Sequence, residues 1–125
     1  NLKVGFLEAG CSWVPYWLAR LDDHYEHRKL GRYMPLLKMR PSEYFHRQCI
    51  VSCDPGDPTI GLAVAGIGAE RIVFATDYPH FDSGGGAVSA FLSCKGIDPT
   101  DQRKILHDNA MEFYGVAVRA NATAA

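Results

Sequence analysis

The sequence predicts an α/β chain in which short parallel strands alternate with helices. Three observations carry this expectation. The run Arg71-Ile72-Val73-Phe74-Ala75-Thr76-Asp77 is apolar and β-branched, lacks polar/apolar alternation, and is short enough for a strand buried on both faces. The order strand-then-helix recurs three times, with an extra helix at the end, and parallel strands joined by right-handed crossovers follow from that order. Turn and cap chemistry (Asp54-Pro55-Gly56-Asp57-Pro58 and Asp98-Pro99-Thr100-Asp101) falls between the apolar segments.

The first strand is Leu2-Lys3-Val4-Gly5-Phe6-Leu7, which runs into Glu8-Ala9-Gly10-Cys11. Ser12 is an expected N-cap, and Pro15 suits a first helical turn, where a missing N–H costs little. Trp13, Trp17, Leu21 and Tyr25 recur every four residues beside Leu18, which predicts a helix from about Trp13 to His27 with that stripe buried. Arg28 to Arg40 is broken by Gly31 and is expected to be a loop with at most one helical turn. Pro41 to Phe45 starts a short helix, and Gln48 to Cys53 forms the second strand. Asp57 and Pro58 are expected to open a helix through Ile60, Leu62, Ala63, Val64 and Ile67, which Gly68 ends. The third strand is the Arg71 run. Ser83-Gly84-Gly85-Gly86 makes a turn, followed by a short helix from Ala87 to Cys94. Asp98 caps the last helix, with Pro99 first and Asp101 complementing the helix dipole. Ile105, Leu106, Ala110 and Phe113 form its expected buried stripe, and Gly115 ends it. Residues 1–115 form one domain, and 116–125 form a C-terminal tail.

The 125 residues suffice for one domain with a core. A formal net charge of −1 and no basic run argue against nucleic-acid binding. No apolar stretch approaches the ~20 residues of a membrane span. The chain opens on Asn1 without a signal-like segment, which suggests a piece of something longer, and the expected location is cytoplasmic. The four cysteines match no secreted disulfide framework, and Cys49 and Cys53 are too far apart for a Cys-x-x-Cys site. Reduced thiols that serve in packing are the expectation for Cys11 and Cys53.

All three strands place polar groups at their C-terminal ends: Glu8, then Cys53 and Asp54, then Asp77 with His80 close by. In a parallel sheet these ends share one rim, where α/β folds place their chemistry. Such a set could hold a divalent metal. The bland alternatives are that Asp77 caps a turn and that Asp54 and Asp82 start turns. No glycine-rich phosphate loop follows the first strand, which disfavours a flavodoxin-like binding domain.

Arg71 to His80, with its Thr76-Asp77-Tyr78-Pro79-His80 end, resembles the last barrel strand of the amidohydrolase-related metal-dependent hydrolases and decarboxylases, the aminocarboxymuconate-semialdehyde decarboxylase group among them. Lys104 to Gly115, with Asn109-Ala110 and a final aromatic-Gly, resembles the family's closing helix. Ile67 to Arg71 is similar to the turn before its last strand, and Leu2 to Trp13 to its sixth strand and loop. The resemblance implies the C-terminal part, about strands six to eight, of a TIM-like (β/α)8 barrel. It implies catalysis by a metal-activated water together with Asp77, hydrolysing or decarboxylating a small organic substrate. The implied metal is divalent, commonly zinc. Asp77 is the implied ligand here, and the remaining ligands come from segments outside this chain. Glu8 stands where many members carry a His, so a catalytic role for it departs from the family pattern; it could instead bind a cationic group. His80 could reach substrate or hydrogen-bond its own loop. Trp13 could line a substrate pocket or belong to the core. A homo-oligomer, or a missing N-terminal half, would cover the open sheet edges. The alternative is a catalytically inactive half-barrel, stabilised by oligomerisation, without a complete metal site.

Overall fold

The computed structural model describes residues 2–27, 30–80 and 85–116. Its centre is a three-stranded parallel sheet in the order β1 (Val4–Phe6), β2 (Cys49–Cys53), β3 (Ile72–Phe74). Val4 pairs with Cys49, and Val51 with Ile72, so the three C-terminal ends point the same way. β2 is the middle strand. Ile50, Val51, Ser52 and Cys53 are all buried, which explains a run without alternation. Among the described residues, nothing pairs with the outer edges of β1 and β3.

Between the strands lie α1 (Val14–His27), α2 (Leu30–Tyr33) and α3 (Pro41–Gln48), then α4 (Ile60–Ile67) and a 3-10 turn at Ala69–Arg71. After β3 come α5 (Ala87–Leu92), α6 (Pro99–Arg103), a π-helical stretch Lys104–Asp108 and α7 (Asn109–Tyr114), the last three forming the closing helix. Asp98 caps α6 as expected, its Oδ1 accepting from the Asp101 N–H at 2.9 Å. Gly115 ends α7 in the left-handed region (φ 67°), where glycine has no Cβ penalty. The start of α3 is tied to α1, because Asp22 accepts from both the Ser42 N–H (2.9 Å) and its hydroxyl (2.5 Å).

Three local expectations change. Ser12 does not spend its hydroxyl on α1; it bonds Asp57 Oδ2 at 3.2 Å and Thr59. Asp57 does not open α4 at Pro58. Its Oδ1 instead accepts from the Thr59 N–H (2.8 Å) and hydroxyl (2.6 Å), a local turn that competes with helix and delays α4 to Ile60. The buried residues of α1 are Val14 and Leu18, with Trp17 exposed: Val14 and Leu18 join the core, and the helix packs on α3 and α4. Leu62 lies on the outer face of α4 and is 72% exposed, while Ile60, Ala63 and Ile67 are buried. The remaining calls on Asp82, on Ser83 and Gly84, and on the tail beyond Val116 fall outside the described residues.

The core joins Val14, Phe45, Val51, Ile60, Ala63, Ile72, Phe91 and Ile105. Helices approach closely where glycine allows it: a Cβ on Gly66 would lie 2.7 Å from the Pro15 ring. The closing helix is fixed to β3 by Asn109, buried, whose Nδ2 donates to the carbonyls of Ala69 and Ile72, each at 2.7 Å. Lys3 ties β1 to the end of α7, its Nζ donating to the Phe113 carbonyl at 2.7 Å, where the helix dipole favours a cation.

Candidate active site

Each strand ends in a loop that brings one acidic residue to the rim. After β1 the chain turns through Glu8 (φ 59°) and Gly10 (φ 58°). The Glu8 N–H donates to Ser52 Oγ at 3.1 Å, so a buried hydroxyl of the central strand holds this turn in place. Trp13 supports the loop from below, its Nε1–H donating to the Gly10 carbonyl at 2.9 Å. After β2 comes Asp54. After β3 the Ala75 N–H still reaches the Cys53 carbonyl (3.4 Å), and Thr76 and Asp77 follow.

Glu8, Asp54, Pro55, Thr76 and Asp77 line one cleft of about 280 Å³ at the C-terminal ends of the strands. Asp77 also has a left-handed backbone (φ 54°). Such conformations cost non-glycine residues roughly 1–3 kcal/mol each. Two on one rim, both at carboxylates facing the same cleft, are the strongest local sign that this rim is a functional site. His80 folds back onto Asp77: its Nδ1 lies 2.7 Å from Asp77 Oδ2, and its N–H donates to the Asp77 carbonyl at 2.9 Å.

The structure therefore brings Glu8, Asp54, Asp77 and, through Asp77, His80 together. Trp13 stands apart. It lines a separate apolar groove with Phe6, Leu18 and Phe45, and its ring meets Phe6 edge-on at 5.7 Å. Cys11 and Cys53 are fully buried beneath the rim. Burial, reinforced by the Asp57 charge, pushes the Cys11 thiol up to about 12, and burial raises Cys53 as well. At neutral pH both thiols are protonated, and both pack within the hydrophobic core.

Among the described residues, no group of three His, Cys, Asp or Glu side chains is disposed to hold a metal ion. A bound divalent cation requires more donors than the Asp77 carboxylate supplies. These residues alone therefore do not fit a metal.

Sequence reasoning missed Ser52, and took Asn109 only as part of the closing-helix pattern, not as the residue that fixes that helix to β3. Both carry a legible signal: a lone polar residue within an apolar run, and an amide four residues beyond Ile105 on a buried stripe.

Residues 1–116 match the family model described as amidohydrolase. No curated protein matches the chain. Solved structures do. An amidohydrolase from Mycobacterium avium subsp. paratuberculosis K-10 is 29% identical with a TM-score of 0.70, over 94% of this chain and 29% of that one. A 5-carboxyvanillate decarboxylase from Novosphingobium aromaticivorans, complexed with manganese, is 22% identical (TM-score 0.70; 92% and 33% covered) and shares the fold. A 2,6-dihydroxybenzoate decarboxylase from Rhizobium is 26% identical (TM-score 0.59; 82% and 32% covered). The chain spans about a third of the length of the solved structures it matches.

Proposed function

The chain belongs to the amidohydrolase family, and from that premise we propose that it forms the C-terminal part of a metal-dependent hydrolase or carboxy-lyase acting on a small organic substrate. The observation that carries the reading is the juxtaposition of Glu8, Asp54 and Asp77 in one cleft at the strand ends, two of them on left-handed backbone. In this reading residues 1–115 supply strands six to eight of a (β/α)8 barrel, and 116–125 form a tail. The likeness to a manganese-bound decarboxylase supports a divalent metal, and favours manganese over zinc as the first ion to try. Its remaining ligands come from polypeptide other than these residues.

Asp77 is the group that accepts or delivers a proton at the reacting atom, a role suited to a carboxylate within reach of substrate. Glu8, on the facing loop, is the second acid/base group or the anchor of a cationic substituent. Decarboxylation of a hydroxylated aromatic acid is the favoured form of the reaction, since the 26%-identical neighbour is a 2,6-dihydroxybenzoate decarboxylase. The partner is thus a small molecule, with no nucleic acid or membrane. Among the described residues no helix is long and apolar enough to cross a bilayer. A cytoplasmic location and a homo-oligomer belong to the same reading. The inactive half-barrel gains no support from the family match.

The test is turnover by the complete enzyme, loaded with manganese and offered 2,6-dihydroxybenzoate and 5-carboxyvanillate, with carbon dioxide release as the readout. Release supports the carboxy-lyase reading. Hydrolysis of an ester or amide substrate without any carbon dioxide release moves the assignment to the hydrolase branch.

A further inference from the structure

Asp77 and His80 are joined twice. The His80 N–H donates to the Asp77 carbonyl at 2.9 Å, which closes the turn, and His80 Nδ1 meets Asp77 Oδ2 at 2.7 Å. For a neutral ring this second contact places the proton on Nδ1, because the carboxylate only accepts. Among the described residues the hydrogen bond to the Asp77 carboxylate goes to Oδ2, and Asp77 lines the cleft. A carboxylate without such a tie turns about χ2 in a broad, two-fold well and exchanges its oxygens. The same rim is stiffened on its opposite side, where Ser52 holds the Glu8 backbone.

We infer that His80 is a positioning residue: its Nδ1–H pins Asp77 Oδ2, so that Oδ1 alone is presented to the reacting atom. The inference rests on the reading of Asp77 as the proton-transfer group. It gives His80 a role distinct from binding substrate and from simply closing the loop. Removing the tie leaves Asp77 in place but unoriented. Proton transfer depends steeply on orientation, so the loss falls on kcat and not on KM.

The experiment uses the complete, manganese-loaded enzyme with 2,6-dihydroxybenzoate as the probe substrate, and compares His80→Phe, His80→Asn and Asp77→Asn. Phe keeps a flat ring without a donor, and Asn offers an amide N–H close to where Nδ1–H stood. His80→Phe is expected to lower kcat by on the order of tenfold with KM changed much less, and His80→Asn to recover most of it. Both should melt with the wild type, since the His80 side chain is 63% exposed. Wild-type kcat in His80→Phe, equal losses in both His80 variants, or a loss confined to KM overturns the positioning role. If Asp77→Asn is inactive while His80→Phe is normal, only this inference fails; if Asp77→Asn turns over normally, the reading of Asp77 fails and takes the inference with it. A readout independent of turnover is the nitrogen spectrum of ¹⁵N-histidine-labelled enzyme. A protonated Nδ1 on His80, lost from that tautomer in Asp77→Ala, supports the tie, and an unprotonated Nδ1 in the wild type overturns it.

Discussion

Replacing Asn109 with Leu tests how the closing helix is attached. The residue is 7% exposed, and its Nδ2 supplies both hydrogens of a pair of 2.7 Å bonds to the Ala69 and Ile72 carbonyls. Those two acceptors bracket the 3-10 turn that feeds β3, so one amide sets the height of the closing helix against the strand bearing the Asp77 loop. Leu fills similar space but donates nothing. The Ala69 carbonyl keeps the bond it accepts from the Ile72 N–H, so the loss is that of one buried polar group stripped of its donor, roughly 1–3 kcal/mol. Asn109→Asp should cost more, because a carboxylate would face two carbonyl oxygens. The assay is urea unfolding followed by far-ultraviolet circular dichroism, with the midpoint converted through the measured slope. A destabilisation below about 0.5 kcal/mol for Asn109→Leu, within the range of ordinary surface changes, would refute the attachment.

Further outcomes follow from the same geometry. Gly61→Ala should destabilise by about 1–3 kcal/mol in the same assay, since its Cβ would sit 2.6 Å from the Lys95 carbonyl oxygen, and overpacking of that kind forces backbone movement. Cys11 and Cys53 should resist a maleimide reagent at pH 8 in the folded protein and react in urea, as read by mass spectrometry, because both are buried with raised thiols. The Cys11 contribution has a defined sign: the folded value is raised, so its stability is fully present below the ordinary thiol value of 9.0 and is lost as pH climbs toward about 12. Glu70 runs the other way. Its hydrogen bond from Lys104 (2.7 Å) lowers its pKa, so its contribution is present above the ordinary value of 4.5 and is lost as pH falls through the folded one. An acid titration of Glu70→Gln should lack that part of the stability loss.

Much of the fold is legible in the sequence because the strands and caps are local. Ile72 to Phe74 is an unbroken apolar run on a strand shielded by helices, and Asp98-Pro99 starts a helix where both residues are individually suited to its first turn. The misreadings came from competition between residues distant in sequence. Ser12 and Asp57 look like helix caps, yet they bond each other across 45 positions, which no local rule reveals. The four-residue recurrence of Trp13, Trp17, Leu21 and Tyr25 does not say which side of α1 its neighbours cover, and the core takes Val14 and Leu18 instead of Trp17. At the rim, the juxtaposition of Asp77 and Glu8 is legible because parallel strand ends share a side. The bonds of Ser52 and Asn109 are not, because a polar residue's buried partner is set by the tertiary fold.

The most direct test of the central claim is the turnover of Asp77→Asn in the complete, manganese-loaded enzyme, beside Glu8→Gln, on a substrate the wild type converts. Asn keeps the shape of the side chain and can still meet His80, but it cannot take up or deliver the proton. A loss of kcat of at least about a hundredfold is expected, with the melting temperature unchanged. Turnover within a few-fold of the wild type would contradict it and return Asp77 to the role of a turn residue.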